Sequence, residues 1–466
     1  MRTAETEWPT AWRTLAQLLR WPGNLGINLY VLPLESTVPA QVLLVWIDGV
    51  ASDEKLKSGI VEPLLHYRGI ARVKEIGRAL SVPAQKRTKC LAEVAASVMH
   101  GATAVLLDGP HEALLVDTLE LGSVPGPSPQ LVSLGPELRR NLGFIRRRIN
   151  DLHLLAFNLD LKQADGIRCA MVYMEGKTPP ALVRQVRRWA FRHMNRESAQ
   201  QGRFNGAGPM VGLLPRFDPI CVVDRAALLL NQGCILLLVD GVTHALAAPV
   251  TAAAWATGPR DRLFVYPLKA SLNKIRLLCA FAVLLLPGFL VALLNYHVNM
   301  VPAPFLAAFT STREAAPLSL VFEIFLLEVL ADVTRAIAVQ VASGLSLGIA
   351  LVVLCLMLLL AVLSGFFGPL PALAAIIGSL LTLFLPSYGM VFLVRVWRYY
   401  VLAAAGSLGF FGIAIAVVIM LAYLGRVRRW GLPFLGAAGV SFKTQKGKSA
   451  IHSRRKGGRR AWDVTD

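Results

Sequence analysis

Two carboxylates, Glu323 and Glu328, stand inside an otherwise lipid-grade run, LSLVFEIFLLEVL. Burying a charge in such a segment costs about 2–3 kcal/mol on insertion scales, so the group ordinarily faces a cavity, a partner or an ion path. Just ahead lies NYHVNMVPAPF, a loop holding His297 with Pro302 and Pro304, followed by Ser-Thr-Arg-Glu with Arg313. His297 sits where an apolar segment ends, and a structural hydrogen bond competes there with proton transfer. These residue types in this order point to transport or gating. His297, Pro302, Pro304, Arg313, Glu323 and Glu328 are the pore or gating candidates. On a helix the two glutamates lie about 140° apart around the axis and do not share a face. One could line a path while the other pairs with a basic group. Asp332 and Arg335 follow as an i,i+3 pair.

No catalytic constellation assembles elsewhere, and the chain is not expected to be an enzyme. Asp48, Asp108, Glu175 and Asp240 each precede a glycine at a strand end. A carboxylate there commonly caps the N–H groups of its own turn. The glycine cluster FNGAGPMVG (204–212) lacks a P-loop lysine and carries Pro209 where a donor N–H is wanted. The eight histidines are scattered without metal-ligand spacing, so no metal or other cofactor is expected. The six cysteines form no CxxC or paired pattern and read as buried small hydrophobes.

The elements that must hold these residues come in two kinds. Residues 1–276 mix charged and apolar positions as a soluble protein does. Beyond them four nearly charge-free stretches, about 277–294, 345–363, 370–394 and 400–424, each reach the roughly 20 residues needed to cross a bilayer core. The opening MRTAETEWPTAWRTL has acids among its bases and no apolar core, unlike a secretory signal. Net charge is +19, much of it in the tail after the last apolar stretch. Bases flanking membrane segments mark the cytoplasmic side. Lys269, Lys274 and Arg276 before the first stretch and the tail after the last place both ends inside, with four crossings. Segment 318–330 is then re-entrant or interfacial, and Arg395 and Arg398 fall in a short outer hairpin. Tail bases beside a span suit anionic lipid. With one aromatic among them, Trp462, and no recognisable module, nucleic acid is not an expected partner.

The front half contains a repeat. LLVWIDG (43–49) and AMVYMEG (170–176) are apolar strands closed by an acid and glycine. The hairpins in 102–121 and 234–250 each turn on Asp-Gly. The offsets, 127 and 132 residues, nearly agree. The expected fold is therefore an α/β duplicated cytoplasmic domain followed by a polytopic α-helical membrane domain. Its parts are an N-terminal extension (1–34), a first α/β subdomain (35–133), a linking basic helix (134–164) and a second α/β subdomain (165–262). The membrane domain (263–437) and a basic cytoplasmic tail (438–466) follow. In the linking helix Arg146, Arg147 and Arg148 form either a solvated face or a contact surface for a neighbouring subunit or lipid headgroups.

Several stretches carry a resemblance: DGPHEALLVDTLEL (108–121), LGPELRRNLGFIRRRI (134–149), AMVYMEG, NYHVNMVPAPFLAAFTSTREAAPL (295–318) with Glu323 and Glu328, LPSY (385–388) with Arg395 and Arg398, and GLPFL (431–435). In that order, across about 35–437, the chain resembles the GerA-type spore germination receptor A subunits, a family that includes the stage V sporulation protein AF. The resemblance implies a multi-pass subunit of a receptor complex in the cell membrane or spore inner membrane, with its large N-terminal domain in the cytoplasm. It further implies a homo-oligomer around an ion-conducting channel, and a permease-like B subunit and a lipoprotein C subunit, or equivalents, as partners. A non-conducting scaffold or a transporter of the same fold is the alternative. Two departures stand out. FDPICVVDRAALLL replaces the family's acidic-Arg-Pro-Asp element, and VASGLSLGIALVVLCLMLLLAVLSG is more apolar than the family's Pro-rich stretch. The tail beyond 440 lies outside the resemblance.

Overall fold

The computed structural model describes residues 9–34, 40–70, 72–82, 84–107, 112–119, 132–159, 168–193, 214, 216–249, 251–256, 258, 268–313, 318–340, 346–365 and 367–435. They form two compact units, one of sheets closing at Pro249 and one of helices continuing from there. The glycine cluster 204–212, Asp108 and the basic tail lie outside the described residues.

Two five-stranded antiparallel sheets make up the first unit. One contains β1 (Ile27–Leu34), β2 (Ala40–Ile47), β3 (Ala84–Thr88), β4 (Ala102–Leu107) and β5 (Ala113–Asp117), in the order β1-β2-β4-β5-β3. The other contains β6 (Leu154–Asn158), β7 (Cys169–Met174), β8 (Asp218–Ile220), β9 (Ile235–Val239) and β10 (Ala245–Ala248), in the order β6-β7-β9-β10-β8. The two orders are the same permutation. Each sheet is filled on both faces, which is why its strands read as continuous apolar runs rather than alternating ones. In β2, Leu43, Val45 and Ile47 pack under the helices Thr10–Leu19 and Leu91–Met99. Val42 and Leu44 point the other way, towards Leu56, Leu64, Val73 and Ile76.

Two boundaries move. Segment 1–34, expected as an extension, supplies a covering helix and β1, which pairs with β2 along its whole length. The linking helix itself is only Leu138–Ile149, and β6, inside 134–164, belongs to the second sheet. Strands at the edge of a sheet show weaker patterning than its centre, so both were hidden.

The linking helix rests directly on the first sheet. A Cβ at Gly143 would stand 2.2 Å from the carbonyl oxygen of Gly49, so the two backbones touch. Gly49 has φ +75°, open to glycine and strained for other residues. On the other side, Asp240 Oδ1 accepts the N–H of Leu138 (3.0 Å), and the Gly241 N–H donates to the Pro136 carbonyl (2.8 Å). The two acid–glycine turns thus hold the linking helix from both repeats.

In the second unit the helices are Leu268–Tyr296, Ala303–Arg313, the glutamate helix Leu320–Gln340, Ser346–Leu363, Pro369–Thr382 and the long helix Tyr388–Arg426. The short helix Ala252–Ala256 packs here too, with Trp255 edge-on to Phe434. Among the described residues two helices are long and apolar enough to cross a membrane, Ser271–Tyr296 and Gly389–Arg426, and Leu351–Leu363 and Pro369–Thr382 are shorter apolar pieces.

This redraws the expected spans. Stretch 370–394 is not one helix, because it breaks after Thr382 and restarts at Tyr388, where Ser387 Oγ accepts the Met390 N–H (3.2 Å) as a cap. A 14-residue helix spans about 21 Å, short of a roughly 30 Å hydrocarbon core. Arg395 and Arg398 are inside the long helix, not in an outer hairpin. Pro386 falls in the break, whereas Pro287 stays inside its helix. Glu323 and Glu328 sit on a continuous helix of 21 residues, longer than the re-entrant 318–330 piece expected. The interruption within the long helix is Gly409, at φ 61° and ψ −139°.

Candidate functional site

The two glutamates point to different neighbours, as their helical separation requires. Glu323 is 1% exposed. Its Oε1 accepts the backbone N–H of Gly368, the N-cap of the helix Pro369–Thr382. That helix opens Pro-Leu-Pro, so two of its first three residues offer no N–H, and Gly368 supplies one of the amides left. A carboxylate at a helix N-terminus is stabilised by the helix dipole. Gly368 permits the approach: a Cβ there would be 3.3 Å from the carboxylate oxygen.

Glu328 faces the long helix. Its Oε2 meets Arg398 Nη1 at 2.6 Å, and both side chains are 3% exposed. One turn on, Asp332 is the centre of the cluster. Its Oδ2 takes Arg398 Nη2 (3.0 Å) and the Tyr399 hydroxyl (2.8 Å). Its Oδ1 forms an ion pair with Arg395 Nε at 3.0 Å, without hydrogen-bond geometry, and Arg335 Nη1 is farther away at 3.9 Å. Arg335 also donates to the Ser379 carbonyl (3.3 Å), tying in the helix Pro369–Thr382. Charges in an apolar interior persist when paired and hydrogen-bonded. Here Arg398 bridges two acids a turn apart, and Asp332 gathers three cations and a phenol.

The remaining candidates gather at the end of the first long helix. His297 stacks on Phe410, with centroids 4.7 Å apart and planes 7° apart. The neighbouring Tyr296 hydroxyl donates to the Gly406 carbonyl (2.7 Å). The break at Gly409 lies between these contacts, and a Cβ there would meet the Tyr296 ring at 3.1 Å. Pro302 and Pro304 are exposed where the helix Ala303–Arg313 begins, and the Pro302 carbonyl accepts the Leu306 N–H (3.0 Å). Arg313 ends that helix, and its side chain lies outside the described residues. Glu323, the Glu328 cluster and the His297 stack are therefore three separate places.

In the sheet unit the arginine run divides. Arg146 is not on a solvated face: it is fully buried, and its Nη2 donates to Asn24 Oδ1 (2.8 Å) and to the Leu25 carbonyl. Burial pulls its pKa down to about 10, opposed by the nearby Asp48 carboxylate. It is internal cement between the repeats and is not presented to another subunit. Arg148 pairs with Asp224, and Arg147 is half-buried. The three described strand-end acids, Asp48, Glu175 and Asp240, are structural but mostly serve other elements than their own turns. Asp48 accepts from Asn28 Nδ2 (2.6 Å) and Trp46 Nε1 (3.3 Å), and Glu175 pairs with Arg20. Among the described residues no three His, Cys, Asp or Glu side chains gather as a metal site.

Asp332, Arg395, Arg398 and Tyr399 belong to the cluster although none is among the gating candidates. A usable signal was present: acids at 328 and 332 share one helix face, and so do arginines at 395 and 398. Two oppositely charged faces in apolar surroundings are each other's natural partners.

Over residues 27–455 the chain matches the family described as Bacillus/Clostridium GerA spore germination protein. It belongs to this family. The match begins at β1 and extends past 440, so the similarity reaches into the basic tail, contrary to expectation. Spore germination protein KA of Bacillus subtilis is 21% identical over 423 residues, covering 88% of this chain and 77% of that protein. Spore germination protein XA of Bacillus anthracis is 26% identical over 306 residues, covering 64% and 61%. The solved N-terminal domain of the A subunit of the Bacillus megaterium spore germinant receptor GerK3 aligns at 15% identity with a TM-score of 0.39, covering 51% of this chain and 92% of that one. As a GerA family member the chain is related to germination receptor subunits.

Proposed function

We propose that this GerA family protein is a multi-pass membrane subunit of a spore germination receptor-type complex, in the cell membrane or spore inner membrane. Copies of it assemble around an ion-conducting path that helps trigger germination, together with a permease-like B subunit and a lipoprotein C subunit or their equivalents. The sheet unit faces the cytoplasm. The observation that supports this reading is the set Glu328, Asp332, Arg395 and Arg398, gathered between apolar helices. Such charges are costly in a membrane segment and persist where a path or a switch uses them. Exchange of the Arg398 bridge for another arrangement of the same charges would supply the two discrete states that gating needs.

The test is cation flux from liposomes reconstituted with the full chain, compared with Glu323→Gln and Glu328→Gln made singly. Conduction predicts flux from the parent protein that changes in at least one variant. Absence of flux from the parent, reconstituted with and without its partner subunits, would falsify conduction. Robust, unchanged flux in both variants removes the carboxylates from the path. One observation favours the non-conducting scaffold: Glu328 and Asp332 already have cationic partners within the chain. A purified protein that forms no ring-sized oligomer would favour that scaffold.

A further inference from the structure

The helix Pro180–His193, PALVRQVRRWAFRH, carries Arg184, Arg187, Arg188 and Arg192 and no acid. All four arginines are exposed, and among the described residues none pairs with a carboxylate. At 100° per residue they fill an arc of about 140°. Phe191 falls in the middle of that arc and is 41% exposed, with the Arg187 guanidinium 5.6 Å from its ring centroid. On the opposite side Leu182, Val186, Trp189 and Ala190 are buried, with Trp189 against Phe217. The helix is therefore fixed to its sheet by one face and presents a cationic stripe with an aromatic at its centre.

Guanidinium groups bind phosphate oxygens bidentately. Clustered bases near an anionic bilayer are each attracted to its surface, and an exposed phenyl ring among them adds an apolar group that headgroups alone would not bind. We infer that the face formed by Arg184, Arg187, Arg188, Phe191 and Arg192 docks on an anionic phospholipid surface, the arginines holding headgroup phosphates and Phe191 entering the interfacial region. Charge complementarity selects this occupant, and the aromatic centre favours a bilayer over a purely electrostatic partner. The inference is independent of conduction.

The experiment uses the full chain in nanodiscs of neutral phosphatidylcholine, in a Cys90→Ser, Cys221→Ser background. Ala181→Cys, on the exposed side of the first turn, carries an environment-sensitive fluorophore. Added phosphatidylglycerol vesicles should shift its emission to the blue, weakening as salt is raised, while phosphatidylcholine vesicles should not. Arg184→Glu with Arg188→Glu should raise the lipid concentration at the midpoint by about tenfold or more. Phe191→Ser should diminish the shift at saturation. Both substitutions are at exposed positions, and an unchanged thermal transition verifies folding. Every variant keeps the basic tail, so differences belong to the helix. Equal response to the neutral vesicles, an unchanged midpoint in the double variant, or a shift with single-stranded RNA and none with vesicles overturns the proposal.

Discussion

Replacing Arg398 by methionine should be far more damaging than replacing it together with Glu328. Arg398 is buried against Glu328 at 2.6 Å and Asp332 at 3.0 Å. Asp332 keeps Arg395 and the Tyr399 hydroxyl when Arg398 is removed, but the Glu328–Arg398 contact is lost. Removing one partner of a buried pair costs about 3–5 kcal/mol, chiefly because the other charge stays buried and uncompensated. With Asp332 still served, the lower end, about 3 kcal/mol, applies to Arg398→Met. For a helical unit of this size that lowers the melting temperature by about 6–12 °C. In the double variant Glu328→Met/Arg398→Met the uncompensated charge disappears, and apolar replacement of a buried pair is often near neutral. The double variant should therefore recover most of the loss, a coupling that a double-mutant cycle reads directly. The assay is thermal unfolding of purified full-length protein in detergent, at fixed detergent and salt. A double variant no more stable than Arg398→Met refutes the reasoning, since the cost would then be lost packing rather than a stranded carboxylate.

Gly143→Ala should weaken the sheet unit, whereas an ordinary Gly-to-Ala change inside a helix stabilises by about 0.5–1 kcal/mol, because the new methyl would stand 2.2 Å from the Gly49 carbonyl oxygen; faster limited proteolysis around the linking helix measures it. Gly409→Ala combines a strained φ of +61° with a clash against the Tyr296 ring and should cost about 1–3 kcal/mol in thermal unfolding, against about 1 kcal/mol for Tyr296→Phe, which loses one hydrogen bond. Cys169 and Cys234 have thiols pushed up to about 12 by burial, so almost no thiolate exists at pH 8. Iodoacetamide should leave both unmodified in the folded protein and modify exposed Cys90, with peptide mass spectrometry as the readout; rapid alkylation of either buried thiol would contradict the two filled sheet faces.

Central strands announced themselves because a sheet covered on both faces needs uninterrupted apolar residues, as β2, β4, β7 and β9 show. The repeat was legible for the same reason, since the same strand and the same acid–glycine turn recur. Edge strands β1 and β6 were missed. β1 is partly exposed and contains Pro33, so its pattern is mixed, and only pairing with β2 makes it part of the sheet. The arginine run was misread for a related reason. A helix pattern gives the angle of each side chain but not what stands opposite, and Arg146 is buried because Asn24 and the Leu25 carbonyl receive it there.

The sequence by itself determined that carboxylates lie in apolar helices, that Glu323 and Glu328 point different ways, and that the chain is a germination-receptor relative. Composition, helical periodicity and motif order are local properties, and they need no partner to be read. Only the tertiary structure decided that Glu323 caps the helix Pro369–Thr382 while Glu328 and Asp332 clasp Arg398. Those pairings join residues 45 to 70 positions apart. Whether a buried charge is neutralised depends on which helix packs against it. The same arginines that resemble a hairpin when read along the chain become the interior of a helix once their acids are in place.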